Sequence, residues 1–229
     1  TNGSTLIKAI SFGGHEKTYQ AWDGLSMDQV LENRRQNPLT YENEIDNYKQ
    51  DHFQLHWNEK INNYWSFNLG LNYTDGRGYF EQYKEDDDIN TYGGIVKSDI
   101  DNNGQETGTT DLIRRRWLDN DFYVLNSSIN YIKDKIDLTL SSSYSSYVGD
   151  HYGEVIWARN LSNIGEIRDR YYEGLGEKKD LSFFAKLLYS INKKTELYTD
   201  IQLRGVKYNT SGITSDLINM VLDLSLIHI

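Results

Sequence analysis

Between Trp65 and Tyr73 the side chains alternate without a break: Trp65, Phe67, Leu69, Leu71 and Tyr73 are apolar or aromatic, while Ser66, Asn68, Gly70 and Asn72 are small or polar. A period of two places the first set on one face of a β-strand and the second on the other. A helix would scatter both sets around its axis, so this stretch constrains the chain to β-structure with one apolar and one wet face. The design recurs. Phe53, Leu55 and Trp57 alternate with Gln54, His56 and Asn58, and only a tight hairpin fits the stretch Glu59 to Asn63 that follows. Tyr123, Leu125, Ile129 and Tyr131, opposite Asn126, Ser128 and Asn130, turn at Lys133-Asp134-Lys135 into Leu138, Leu140 and Tyr144. Phe183, Ala185, Leu187 and Tyr189 turn at Asn192-Lys193-Lys194 into Leu197, Thr199, Ile201 and Leu203. With Leu6 to Phe12 added, the count is about seven strands.

Between the hairpins lie long polar segments, residues 13–50, 85–112 and 150–179, so short and long connections alternate. That asymmetry predicts an all-β, antiparallel up-and-down transmembrane β-barrel segment, incomplete as a barrel, with short periplasmic turns and long extracellular loops. A soluble β-sandwich more often carries turns every ~8–12 residues without the asymmetry. The run from Tyr64 to Tyr83 is about twice the ~9–11 residues a tilted strand needs to cross a bilayer, so it is expected to project beyond the membrane. Trp57, Tyr64, Trp65, Tyr131 and Tyr189 sit near the short turns and read as a periplasmic aromatic girdle; cross-strand aromatic pairing in a soluble sheet is the plainer alternative. In the first long segment Ser26 and Gln29 form a capping box ahead of Val30 and Leu31, and Pro38 closes the segment, which predicts one short loop helix.

Composition narrows the function. Eighteen Tyr, five Trp and seven Phe against one Pro suit pleated surfaces. No cysteine occurs, which removes disulfides, thiolate metal sites and Cys nucleophiles. A net charge of −10 excludes a nucleic-acid partner, which needs a basic face. No run of 18 apolar residues exists for a transmembrane helix, and a mean hydropathy of −0.70 is compatible with barrel strands that show lipid every second side chain. Thr1 is not an initiator, which reads as a chain cut from something longer. Gly-x-Ser-x-Gly, P-loop and His-Glu-x-x-His patterns are all missing, so no enzyme and no cofactor are expected.

The stretches Lys17-Thr-Tyr-Gln-Ala-Trp-Asp-Gly24, Asn47-Tyr-Lys-Gln-Asp-His-Phe-Gln-Leu-His56, Leu71-Asn-Tyr-Thr-Asp-Gly-Arg-Gly-Tyr-Phe-Glu-Gln-Tyr-Lys84 and Tyr152-Gly-Glu-Val-Ile-Trp-Ala-Arg159 resemble the middle of the barrel domain of TonB-dependent outer-membrane receptors, over roughly residues 5–210. The resemblance implies a bacterial outer-membrane location and a 22-stranded barrel filled by an N-terminal plug. It also implies energy-coupled uptake of a scarce nutrient: an iron-siderophore, haem, cobalamin or a glycan. The implied partners are outer-membrane lipid and lipopolysaccharide, the plug, TonB through the N-terminal part, and a small ligand; neither plug nor TonB motif is in these residues. Residues 1–222 would be a partial barrel domain. Asp223 to Ile229 departs from the family, resembles translated adapter sequence, and is expected to be a non-native tail. Seven strands cannot close such a barrel, and two bare edges with an exposed lipid face predict aggregation in water. A soluble carbohydrate-binding β-sandwich and a passive porin or adhesin barrel remain open alternatives.

Within this frame Trp65, Phe67, Leu69, Leu71 and Tyr73 are expected to face lipid, and Gln54, Asn58, Asn68, Asn72, Asn126 and Asn130 to line the lumen. Tyr19, Trp22, Tyr92 and Trp157 are the aromatic candidates for ligand contact. Asp99-x-Asp101-x-Asn103-Gly104 matches the first half of a calcium loop, but Thr110 stands where the bidentate Glu belongs, and Asp, Asn and Gly also build ordinary turns. No other metal site is expected: His52 and His56 share a strand face at about 13 Å, too far apart to bind one ion by spacing alone. Arg114, Arg115 and Arg116 enter a long strand from its outer loop, either to meet phosphate or an anionic ligand, or simply to end the apolar band.

Overall fold

The computed structural model describes residues 4–228; Thr1 and the last residue of the expected tail, Ile229, lie outside them. The strands are β1 (Thr5–Tyr19), β2 (Ile45–Lys60), β3 (Trp65–Asp88), β4 (Thr109–Lys133), β5 (Ile136–Ala158), β6 (Arg170–Asn192), β7 (Thr195–Ile213) and β8 (Asn219–His228). They form one sheet in sequence order, every neighbour antiparallel. The chain is therefore an all-β up-and-down meander, and the two packed layers of a sandwich do not occur among the described residues. It has one strand more than the alternation counts, because Asn219–His228 pairs along β7.

The short turns fall where the alternation breaks. In the first, Asn62 Oδ1 accepts from the backbone amides of Tyr64 and Trp65 at 2.8 and 3.0 Å. Asp134 turns β4 into β5 in the left-handed region (φ 52°), and Asn192 Oδ1 accepts from the Lys194 amide at 2.9 Å between β6 and β7. Asn62 and Asn192 use the short amide side chain to replace a backbone partner, and Asp134 supplies the left-handed residue its turn needs.

At the other end the long polar segments are shorter loops than expected, because the strands continue into them. Residues 13–19, 45–50, 85–88, 109–112, 150–158 and 170–179 are paired strand. Here polar side chains mix with a few buried apolar ones, so alternation vanishes while the backbone ladder persists. The helix α1 (Met27–Asn33) carries the Ser26–Gln29 capping box in both directions, at 3.3 and 2.8 Å, and ends well before Pro38.

Register carries the alternation across the sheet. One row reads Ala9, Leu55, Leu71, Leu125, Tyr144 and Leu181 over six strands, all on one face. These side chains are not packed under a second layer: Leu55, Leu71, Leu125, Tyr144 and Leu181 are all exposed. The buried core lies elsewhere, at the loop end. There Tyr92, Ile95, Val96, Leu112, Val155 and Tyr171 cluster beneath the connection between β3 and β4.

Candidate functional site

The apolar face is bounded by two aromatic rows. Toward the short turns, Trp65 packs on Tyr131 at 4.6 Å and Trp57 meets Phe67 edge-on at 5.5 Å, while the Lys133 ammonium lies 4.8 Å from the Tyr64 ring. Toward the loops, Phe53, Tyr73 and Tyr123 stack in register at 6.0 and 4.8 Å. From Trp65 to Tyr73 the strand rises about 26 Å, or about 20 Å at a tilt of about 40°. Immediately beyond Tyr73 the same face turns ionic: Asp51, Asp75 and Asp121 sit side by side, followed by Lys49, Arg77 and Asp119.

The opposite face is polar over the same height. Gln54 faces Asn72, and Asn58, Asn68, Ser128 and Ser141 form one row, with Asn68 donating to Ser128 at 3.1 Å. Asn126 and Asn130 share this face, Asn130 accepting from Thr139 at 3.1 Å. The register thus places all six residues expected in a lumen together, opposite Trp65, Phe67, Leu69, Leu71 and Tyr73. His52 and His56 are spent on Thr74 and Gln54 at 2.9 and 3.3 Å and do not converge.

Above this polar field, at the loop end, the same face opens into a cavity of about 680 Å³ walled by Thr18, Gln20, Trp22, Asp46, Tyr48, Phe80, Arg116, His151 and Tyr172, among others. Alternate glycines make the room. A side chain at Gly78 would lie 2.4 Å from the Asn47 carbonyl and 2.6 Å from the Tyr48 Cα, and one at Gly76 would meet the Tyr48 hydroxyl at 2.2 Å. Bare backbone there lets the Tyr48 ring lie against β3, its hydroxyl 3.2 Å from the Asn120 amide that donates to it. Thr18, Asp46, Phe80, Arg116, Gly153 and Tyr172 form one register row across six strands. Trp22 reaches over from its loop and meets Phe80 edge-on at 5.1 Å.

Charge is divided across this row. Burial pushes the Asp46 carboxyl up, and the neighbouring Glu16 pushes it the same way. Gln20, buried to 2% exposure, donates its amide to the Ile45 carbonyl at 2.9 Å, and its Oε1 accepts no hydrogen bond. On the other side, Arg116 Nε donates to the Tyr171 hydroxyl at 3.4 Å and its guanidinium lies 5.8 Å from the Tyr172 ring, with no carboxylate partner among the described residues. Burial pushes the Tyr172 hydroxyl up to about 12, so it stays a neutral donor.

The aromatic candidates separate. Trp22 and Tyr19 border the cavity, although the Tyr19 hydroxyl is donated to the Leu39 carbonyl at 2.8 Å. Tyr92 has no exposed surface; it is the centre of the loop core, its hydroxyl bonded to Asp87 and 3.1 Å from Arg114, and this placement leaves it no ligand to touch. Trp157 pairs with Ile113 on the opposite face. The arginines also divide. Arg114 is inside the loop core with Gln82 at 3.0 Å, and Arg115 pairs with the buried Glu81 at 2.8 Å over the Tyr79 ring, so only Arg116 opens on the cavity.

The half calcium loop does not gather ligands. Asp101 accepts from the amides of Asn103 and Gln105, both at 2.8 Å, which holds its carboxyl below the usual range. Asp99 points away, accepting from Thr110 at 2.8 Å and from Arg159 and Asn160, both at 2.6 Å. Asp86, Asp99 and Asp111 do converge within 4.8 Å, but Arg159 bridges Asp99 and Asp111 and occupies the oxygens a cation would need, offsetting one of the three negative charges.

The cavity was not visible in the alternation: Asp46 lies in a segment read as loop, and Phe80 and Arg116, though read as strand, meet it only through the register. The available signal is glycine spacing: Gly76-x-Gly78 bares the β3 face where the neighbouring Tyr48 ring needs space.

No protein-family model matches the chain, and no curated protein matches it. Among solved structures, the chain is similar to the closed form of the ferric-catecholate import receptor Fiu from Escherichia coli K12, with a TM-score of 0.47 and 8% identity. That likeness covers 97% of this chain and 37% of the receptor, so the chain spans little more than a third of that protein's length.

Proposed function

We propose that this chain is a wall segment of an outer-membrane β-barrel receptor that takes up a scarce nutrient by energy coupling. The observation that carries the membrane part of this reading is the apolar face, an exposed band about 20 Å high between two aromatic rows, backed by a face of Asn, Ser and Gln. A soluble sheet would cover such a face with a second layer. Lipid covers it here, and the polar face lines a lumen in which the plug sits. β1 and β8 are unpaired with each other among the described residues, so the sheet is an open wall rather than a closed barrel. The cavity at the loop end is where a ligand is first held. The chain performs no catalysis, and TonB, lipopolysaccharide and the plug are its partners. Residues 223–229 are read as a non-native tail: the leucines of β8 at 222, 224 and 226 fall in phase with Val206, Tyr208 and Thr210, on the polar side, the reverse of the other strands.

The test is growth of source cells with and without the gene on iron-siderophore, haem, cobalamin or glycan as the limiting source. The reading expects loss of growth on one source, reproduced in intact cells by collapsing the proton gradient. Growth on every source without the gene would refute uptake, and gradient-independent passage would make the barrel a passive porin.

A further inference from the structure

We infer that the loop-end cavity holds a zwitterionic ligand with an apolar centre, its anionic group at Arg116 and its cationic group at Asp46, with charges about 10 Å apart. The inference rests on the uptake reading for its biological meaning, though not for its geometry. Asp46, Phe80 and Arg116 are direct neighbours on β2, β3 and β4, and all three line the cavity. Two strand spacings separate the acid from the base by about 10 Å, too far for them to neutralise each other directly. Between them the Phe80 ring, with Trp22 edge-on against it, forms an apolar floor.

Each end is chemically incomplete in the sense a ligand would satisfy. Arg116 has a tyrosine hydroxyl and an aromatic face beside it but no carboxylate, so its fork is free for an anionic group. At the other end, Glu16 and Asp46 place two acids together, and the buried Gln20 Oε1 adds an acceptor with no donor. That end wants a cation carrying several N–H donors, such as a primary ammonium. An anion alone would be attracted by Arg116 and repelled by the acids; a cation alone would leave Arg116 unmatched. An extended chain of three residues spans about 10 Å, so a free tripeptide with an aromatic centre is the simplest probe of this shape.

The experiment titrates the full chain in detergent micelles with Gly-Phe-Gly, its N-acetylated form and its C-amidated form, following tryptophan fluorescence, with Trp22→Phe marking the share that Trp22 contributes and the three peptides repeated on Arg116→Gln and Asp46→Asn. The free peptide should bind saturably and each blocked form about tenfold more weakly. Arg116→Gln should abolish the preference over the amidated form only, and Asp46→Asn the preference over the acetylated form only. Equal binding of the three peptides, no saturable binding, or loss of both preferences in either variant overturns the inference. Those outcomes leave the membrane reading standing, because it is tested by lipid contact; failure to contact lipid would defeat the receptor and not the pocket's charge selectivity.

Discussion

The Tyr73 hydroxyl donates to Asp121 Oδ1 at 2.6 Å, one step up the neighbouring strand from Tyr123, on which the Tyr73 ring stacks. The ring thus ends the apolar band and its hydroxyl enters the ionic row above, the orientation an amphipathic side chain takes at a membrane surface. Tyr73→Phe keeps the stack and loses the bond. It should lower stability in lipid vesicles by about 1 kcal/mol in a urea titration, without moving the protein out of the bilayer. A cost as large as that of Tyr73→Ala would show that the hydroxyl, rather than the ring, anchors this row.

The two faces of β3 should respond oppositely to charge. Leu69→Arg places a guanidinium among Trp57 and Ser127 on the apolar face and should cost about 2–4 kcal/mol in vesicles, the price of charge near the middle of the bilayer. Asn68→Arg, one residue away on the polar face, should cost under about 1 kcal/mol. Equal costs would mean that the faces see the same medium.

Gly78 is the glycine on which the cavity depends. Any side chain there meets backbone, the Asn47 carbonyl at 2.4 Å, so Gly78→Ala must push β2 away from β3. We expect a loss of about 2 kcal/mol and weaker peptide binding, whereas Gly14→Ala, which meets nothing within 4 Å, should leave both unchanged.

The loop between β3 and β4 should be tied down in a pH-dependent way. Burial raises the Asp111 carboxyl, but the Tyr83 hydroxyl at 2.6 Å, the Asp86 amide at 3.0 Å and Arg159 outweigh it, so its net shift is downward. A carboxyl with a depressed folded pKa contributes fully above its unfolded value near about 3.9, and that contribution is lost as pH falls through the lower folded value. Hydrogen exchange at the Asp86 amide should therefore be flat from neutral pH to about 5, once corrected for the intrinsic rate, and lose protection only below about 4. In Asp111→Asn the acid-dependent step should disappear and protection should be lower throughout.

The part of the fold legible in the sequence was the part where the two faces of the sheet differ in polarity. Where Leu71 lies on the apolar face and Asn72 on the polar one, composition alternates, and the hairpins, turns and face assignments at residues 53–73, 123–144 and 183–203 follow from it. Beyond Tyr73 one face turns ionic and the other mixes polar with aromatic side chains, so clean alternation stops, and residues 85–88 read as loop although they are strand. The same loss of contrast concealed the cavity, because Asp46, Phe80 and Arg116 meet only through register, which a single strand does not encode. Tyr92 looked like a loop aromatic open to ligand. Its burial depends on contacts with Tyr171 from a distant strand, at 4.9 Å, that no local pattern announces.

The central claim is that lipid covers one face of this sheet. The chain has no cysteine, so single cysteines at 66 through 73 can be spin-labelled cleanly and read in lipid bilayers for access to oxygen against a water-soluble nickel chelate. The account predicts a period of two: labels at 67, 69 and 71 favour oxygen, most strongly at 69, while labels at 68, 70 and 72 favour the chelate. Uniform access along the strand, or an apolar face reached by neither reagent because protein covers it, would contradict the account.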